Sequence, residues 1–301
     1  MHSDVRTRAE AALYVVATPL GNLRDITLRA LDILASVAAI AAEDTRRTRQ
    51  LLSHYQISVR LIALHEHNEG RAAQQLIALL SEGKSVAYVT DAGTPGISDP
   101  GALLVSRVRA AGLCVIPIPG PSAVTAALSV AGISAQQFLF CGYLSSKPAH
   151  RREALRALSR LPYTLVFYEA PHRLSSAIGD MEKCLGPERI IVIAREISKL
   201  FESFHRCLLG EACAWLEADS NRTRGEFVLV VEGVSGARAD AVEGSQRALE
   251  VLLRELPLRQ AVSLAAEITG AHRKAMYKRA LELKGQDDRT TQPGATQRKA
   301  D

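Results

Sequence analysis

The chain has 301 residues, 47% hydrophobic and 23% charged, with a formal net charge of +5. That length and balance describe a globular protein with a substantial core, most naturally divided into two domains. No apolar run approaches bilayer-spanning length and no leader pattern opens the chain, so no membrane partner is expected. The five cysteines (Cys114, Cys141, Cys184, Cys207 and Cys213) are scattered, odd in number and without a Cys-x-x-Cys pair, which predicts reduced thiols in a cytoplasmic protein. The positive charge is compatible with an anionic partner such as nucleic acid but does not demand one.

In chain order, Leu13–Ala17 is an apolar run broken by Thr18-Pro19-Leu20-Gly21-Asn22, and Thr27–Ala35 follows with helical periodicity. Ala38–Ala42 reads as a strand and Arg46–Leu52 as a helix. Val59–Leu64 and Val86–Thr90 are further strands, separated by a helix over Arg71–Ser81. After a helix at Ala102–Ala110, the strand Cys114–Ile118 closes the series. Pro119-Gly120-Pro121-Ser122 then opens a helix through about Ala131, with Pro near its first turn and Ser122 as its cap. Strands alternating with helices predict βαβ units and a mostly parallel sheet.

The second half predicts another α/β sheet, of mixed direction, beginning near Ser134. Its strands are Phe138–Tyr143, Thr164–Tyr168, Ile190–Ala194 and Glu226–Glu232, with helices near His150–Arg160 and His172–Cys184. A Gly-Ala-Arg-Ala-Asp linker around Gly236 leads to helical segments at Ala248–Glu255, Leu258–Ile268 and Arg273–Leu283. The last carries Arg273, Lys274, Lys278 and Arg279. The expected division is an α/β domain over 12–131, a second over 134–235 and a helical tail over 245–285, with the polar residues 286–301 disordered.

The chemistry concentrates in loops. Val89–Gly101 leaves the carboxyl end of a buried strand, where ligands sit in open α/β sheets. Its glycines allow close backbone approach, and Asp91 and Asp99 flank them, which suits a polar or cationic small molecule better than a bare polyphosphate. Asp25, Glu43, Asp44, Asp91, Asp99, Glu169, Glu196 and Glu226 all fall at predicted strand ends. Together they describe an acid-rich crevice that would stabilise a positive centre such as a sulfonium and could supply a general base. His65-Glu66-His67 offers two imidazoles without a third ligand at metal spacing, so no metal is expected. Gly-x-Ser-x-Gly and Gly-x-Gly-x-x-Gly are both absent. Thr45-Arg46-Arg47-Thr48-Arg49 and His150-Arg151-Arg152 are basic runs; at the mouth of an acidic crevice they would fit a phosphate backbone whose reacting sugar is fed inward.

Segments in a fixed order carry a resemblance along residues 12–233. They are Ala17-Thr18-Pro19-Leu20-Gly21-Asn22-Leu23, Ala42-Glu43-Asp44-Thr45-Arg46, His65-Glu66-His67-Asn68-Glu69 and Thr90–Gly101. Then come Pro119-Gly120-Pro121-Ser122-Ala123, Phe167-Tyr168-Glu169-Ala170-Pro171-His172-Arg173, Arg195-Glu196 and Arg224-Gly225-Glu226-Phe227. In these the chain resembles the tetrapyrrole methylase superfamily, and within it the branch that methylates a cytidine 2′-oxygen in small-subunit ribosomal RNA. The tetrapyrrole enzymes carry a Gly-x-Gly-Pro-Gly-Asp run where this chain has Ala17-Thr18-Pro19-Leu20-Gly21-Asn22, a departure that agrees with the RNA branch.

The resemblance implies two α/β domains facing across a cofactor trough, plus a small helical C-terminal segment. It implies S-adenosylmethionine as cofactor, 16S rRNA in the 30S subunit as partner, and a homodimer. Carried over, the cofactor contacts are Pro19, Gly21, Asp91, Gly93, Thr94, Ile97, Ser98, Ser122 and Ala123, with Tyr168, Ala170, Ile197, Glu226 and Phe227 from the second domain. Glu43, Asp44 and His65 are the candidate bases, and Arg24, Arg46, Arg47, Arg151 and Arg152 the candidate RNA contacts. Two other readings are a methyltransferase of a precorrin-type tetrapyrrole and a non-catalytic RNA-binding or ribosome-assembly protein.

Overall fold

The structure is a computed structural model, and it describes residues 11–65, 67–234, 247–270 and 273–290. The linker expected around Gly236 and the tail from 291 onward lie outside the described residues. The chain forms two compact units, one reaching Ser159 and resuming over Tyr163–Glu232, the other made of Arg160–Pro162 and the chain from Gly233.

The first sheet is wholly parallel, in the order β3-β2-β4-β1-β5. Its strands are β1 (Ala12–Val16), β2 (Ala39–Ala42), β3 (Leu61–Ala63), β4 (Val86–Val89) and β5 (Cys114–Ile118). Between them run α1 (Leu28–Ser36), α2 (Thr45–His54), α3 (Glu69–Ser81) and α4 (Ala102–Ala110). Both faces are covered, which is why these strands read as continuous apolar runs. Tyr14, Ile40, Ala42, Ala87 and Val89 pack towards α1 and α2. The residues between them, Leu13, Ala39, Ala41, Val86 and Tyr88, pack towards α3 and α4.

The ends of these helices are pinned by side chains. Thr27 caps α1 by accepting from the Ala30 amide, and Asp44 caps α2 by accepting from the Arg46 amide. Helix α4 starts at Gly101, whose left-handed φ of 118° brings no capping side chain. Glu69 of α3 supplies the cap from a distance, its Oε1 accepting from Gly101 N at 3.1 Å and Leu104 N at 2.9 Å. A Cβ on Gly101 would lie 2.3 Å from the buried Tyr88 ring, so glycine is required there on two counts.

The second sheet is mixed, in the order β6-β7-β10-β8-β9, built from β6 (Phe138–Tyr143), β7 (Thr164–Glu169), β8 (Ile190–Arg195), β9 (Ser203–Leu208) and β10 (Phe227–Val231). Only β6 and β7 are parallel. Helix α5 (Ala123–Val130) belongs to this core although it follows the first sheet: Val124, Ala127 and Leu128 pack on Val166, Val192, Ala194 and Val230. The opposite face buries Leu165, Phe167, Ile193 and Leu229 under α6 (Pro148–Leu158), α7 (Leu174–Leu185) and α8 (Leu209–Glu217). Strand β9 and helix α8 add to the sequence expectation; β9 is an edge strand interleaved with His205 and Arg206, which hides its apolar period. Ser122 occupies the N-cap of α5 but makes no capping bond, and Pro121 precedes the cap instead of lying in the first turn.

The C-terminal unit holds a helix over 247–255 (α9), α10 (Leu258–Thr269) and α11 (Arg273–Thr290) around Leu249, Val262, Ala265, Met276 and Ala280. Gly270 ends α10 with a left-handed φ of 69°. Helix α11 runs through 286–290, which the sequence placed in a disordered tail. A helix nucleated by packed residues extends into polar sequence at little cost per residue.

Arg151 fills the space between α6 and α7, 4% exposed, with Nε donating to Asp180 Oδ2 at 2.7 Å and Nη2 2.6 Å from the same oxygen. Arg152 reaches Asp180 Oδ1 at 3.4 Å from a more open position. Asp180→Ala strands the buried guanidinium and is expected to cost about 3–5 kcal/mol in urea unfolding. Arg152→Ala should cost less than about 1 kcal/mol.

Candidate active site

The loops leaving β1, β2, β4 and β5 meet at the carboxyl end of the first sheet. The β1 and β4 loops exchange two hydrogen bonds, Thr18 N to Gly93 O and Gly93 N to Thr18 O, both 2.9 Å. Thr18 Oγ1 also donates to Thr90 O at 3.1 Å, and Thr94 Oγ1 to Pro121 O at 3.0 Å. These bonds hold the glycine-rich loop open against its neighbours. The loops facing it leave β7 and β8 or enter β10 of the second sheet. Three of the four described non-glycine residues with left-handed φ lie in these loops: Ser98, Glu196 and Ser198. Such strain collects where the surrounding structure enforces a site.

Between the loops is a cavity of about 400 Å³. The β4 loop contributes Asp91, Gly93, Thr94, Ile97 and Ser98, and the start of α5 contributes Ser122 and Ala123. The second sheet contributes Tyr168, Ala170, Ile197, Glu226 and Phe227. All of these were expected cofactor contacts. Leu20, Ala92, Asp99, Tyr143, Glu169, Pro171 and Val228 complete much of the wall. Tyr143 could have been found as the aromatic end of β6, since it meets Tyr168 edge-on with centroids 5.6 Å apart. Burial pushes the Tyr168 hydroxyl up to about 12, which keeps it neutral.

Two expected cofactor residues fall outside this wall. Pro19 lines a smaller neighbouring cavity. Gly21 lies against Lys199, where a Cβ would sit 2.2 Å from Lys199 Cγ; its missing side chain makes room for the lysine stem. Lys199 Nζ pairs with Glu196 Oε1 at 3.0 Å and Glu226 Oε2 at 2.9 Å, and Asn22 N donates to Ser198 Oγ at 3.2 Å. A latch between the two sheets thus stands where contact with a small molecule was expected.

Of the eight strand-end acids, Glu43, Asp91, Asp99, Glu169 and Glu226 line the cavity, whereas Asp25, Asp44 and Glu196 do not. Asp91 is committed: its Oδ1 accepts from Asp44 N at 3.0 Å and its Oδ2 lies 3.2 Å from Arg47 Nη1. Glu169 is paired with Arg173 at 3.0 Å and Glu226 with Lys199. Among the described residues Glu43 and Asp99 have no ion-pair partner. Burial, reinforced by the charge of Glu43, pushes Asp99 up to about 6. Burial and then the charge of Asp91 raise Glu43 above the usual carboxylate range.

The other base candidates lie elsewhere. Asp44 accepts from Arg46 Nη2 at 2.7 Å, and that hydrogen bond holds its carboxyl far below the usual range, too acidic to accept a proton near neutrality. His65 is exposed beyond the end of β3, its amide held by Asn68 Oδ1, and it does not line the cavity. Glu66 lies outside the described residues, among which no group of three metal-ligating side chains occurs.

The arginines separate in the same way. Arg47 is part of the wall, while Arg24 and Arg46 are exposed and do not line it. Arg151 is corrected: an RNA-gripping role is closed to a guanidinium buried on Asp180. Arg152 is half-buried and shares that carboxylate.

The raised Asp99 carries a stability consequence. The folded chain keeps its proton to about pH 6 and the unfolded chain only to about pH 4, so stability falls as pH rises between those values. Because the group is only half shielded from water, the loss above pH 6 is about 1–2 kcal/mol. Asp99→Asn should therefore raise the urea midpoint at pH 7.5 and leave it unchanged at pH 4.

The profile described as Tetrapyrrole (Corrin/Porphyrin) Methylases matches residues 12–213, and that described as RsmI C-terminal HTH domain matches 238–284. Over 277 residues the chain is 48% identical to Ribosomal RNA small subunit methyltransferase I of Escherichia coli O157:H7, covering 92% of this chain and 97% of that one. It is 47% identical over 275 residues to the protein of the same name from Pseudomonas aeruginosa, covering 91% and 98%. The crystal structure of uroporphyrin-III-C-methyltransferase from Thermus thermophilus superposes with a TM-score of 0.53 at 21% identity, over 76% of this chain and 98% of that one, and so shares the fold. With this cavity between its two sheets, the chain belongs to the tetrapyrrole methylase family and, within it, to the ribosomal RNA small subunit methyltransferase I group.

Proposed function

We propose that the protein transfers the methyl group of S-adenosylmethionine to the ribose 2′-oxygen of a cytidine in 16S rRNA of the 30S subunit. The observation that carries this reading is the pair of unpaired carboxylates, Glu43 and Asp99, in a cavity that also holds three neutralised ones. Such a wall favours a sulfonium cation and disfavours the phosphates of a dinucleotide. The remaining wall fits the rest of the donor. The amides of Ser122 and Ala123 open α5 without a side-chain cap, which suits the amino-acid carboxylate. Tyr168, Ile197 and Phe227 offer an apolar face of the size an adenine needs.

When bound, S-adenosylmethionine supplies an already activated methyl group and leaves as a neutral thioether. What remains for the protein is alignment and removal of the hydroxyl proton. The Glu43–Asp99 pair is assigned that proton: burial and the charge of Glu43 hold Asp99 at about 6, and burial and the charge of Asp91 hold Glu43 above the usual carboxylate range. Asp91, fixed by Asp44 N and Arg47, positions the glycine loop. Exposed Arg24 and Arg46 are assigned to flanking phosphates. The same reading takes the protein as a cytoplasmic homodimer. The edge strand β6 supports the second part, since it exposes Phe138, Leu139 and Tyr143.

Labelled S-adenosylmethionine and 30S subunits lacking the modification test the reading: label should be recovered in 2′-O-methylcytidine after digestion to nucleosides. Label in a base-methylated nucleoside, or none despite donor binding, would reject it. In the same assay Arg46→Ala should weaken RNA binding and flatten its salt dependence by about one phosphate contact, with donor affinity unchanged.

A further inference from the structure

The loop between β8 and β9 leaves the cavity wall at Ile197 and then exposes two apolar side chains, Leu200 by 90% and Phe201 by 65%. Its backbone is nonetheless tied down. Arg195 Nη1 donates to Phe201 O at 3.1 Å, and Arg195 Nε to Arg224 O at 2.6 Å. Ser198 N donates to Glu202 Oε2 at 2.5 Å, and Glu202 N to Lys199 O at 3.1 Å. Glu196 and Ser198 are held at left-handed φ values of 52° and 65°. A loop this constrained does not fold its tip back onto the core, so both side chains stay available to a partner.

We infer that Phe201, with Leu200 beside it, is the platform on which a base adjoining the target nucleotide stacks when the target ribose enters the cavity. The inference rests on the RNA-methylation reading above. Chain length puts Phe201 at most roughly 14 Å from Ile197, within reach of a nucleotide next to the one being methylated. Taking a nucleotide out of its strand deprives its neighbour of a stacking partner, and an exposed aromatic ring replaces that partner whatever the base. The surrounding charge suits the backbone of such a strand. Arg224 is exposed and joined to the loop through Arg195. Exposed Arg206 shares one face of β9 with Phe204, which is also exposed. Glu202, the acid nearest the tip in sequence, is engaged by the Ser198 amide. Aromatic and guanidinium groups on one loop and its neighbouring strand favour single-stranded RNA over a purely apolar protein partner.

Substitutions at Phe201 separate stacking from packing, because an exposed ring contributes little to folding. On 30S subunits lacking the modification, Phe201→Ala should lower kcat/KM about tenfold or more, mainly through KM. Phe201→Leu should behave like Phe201→Ala, since it keeps an apolar contact and loses the ring. Phe201→Trp should stay within about threefold of wild type. All three should keep the wild-type urea midpoint, the wild-type mass in sedimentation equilibrium and an S-adenosylmethionine affinity within about twofold. Full kcat/KM in Phe201→Ala would overturn the inference. Wild-type kcat/KM in Phe201→Leu would overturn it too, by pointing to an apolar contact with protein. A fall in mass would make the tip an interface between copies of this chain, and donor affinity lost in step with kcat/KM would make it part of the donor site; either result rejects the platform. Failure of the wild type to methylate any RNA while binding the donor removes the functional reading, and this inference falls with it.

Discussion

The structure turns on an imbalance of charge at one place. Five carboxylates from two sheets line one cavity, and the fold neutralises three of them with Arg47, Arg173 and Lys199. Glu43 and Asp99 have no ion-pair partner among the described residues, and the charge of Glu43 helps raise Asp99. Two nearby like charges without counter-ions cannot both ionise cheaply, so part of the folding free energy is held as a proton-accepting environment that a cationic ligand would relieve. The all-parallel sheet makes this possible, because every βα loop leaves from the same edge.

The second sheet gives that edge a lid of fixed position. Its β8 exit loop is held by the Lys199 ion pairs and by the Asn22–Ser198 hydrogen bond, and the left-handed Glu196 and Ser198 show that the loop is forced into shape. Helix α5 makes the two halves continuous: its first residues line the cavity and its body packs on the second sheet. Donor site and inter-sheet packing are therefore built from the same short stretch of chain.

Much of this was legible in the sequence, for identifiable reasons. Strands buried on both faces leave unbroken apolar runs, and the loops between them are punctuated by Gly-Thr-Pro-Gly and Pro-Gly-Pro, so the first sheet and most of the cavity wall could be read. Side-chain direction could not. Glu43 and Asp44 are adjacent, yet one faces the cavity and the other turns back to cap α2. Arg151 and Arg152 form a basic run that looks solvated until Asp180, 29 residues on, is placed between α6 and α7. Gly21 was expected to contact the cofactor, but what it meets is the Lys199 stem. Each of these depends on a distant partner that local pattern does not contain.

The most direct test of the charge imbalance is the pH dependence of single-turnover methyl transfer to 30S subunits lacking the modification, measured for wild type, Glu43→Gln and Asp99→Asn. The account predicts a wild-type rate that falls about tenfold per pH unit below an apparent pKa near 6, and a displaced or abolished break, with a lower plateau, in both variants. A wild-type rate that stays flat from pH 5 to pH 8, with both variants matching it, would contradict the account.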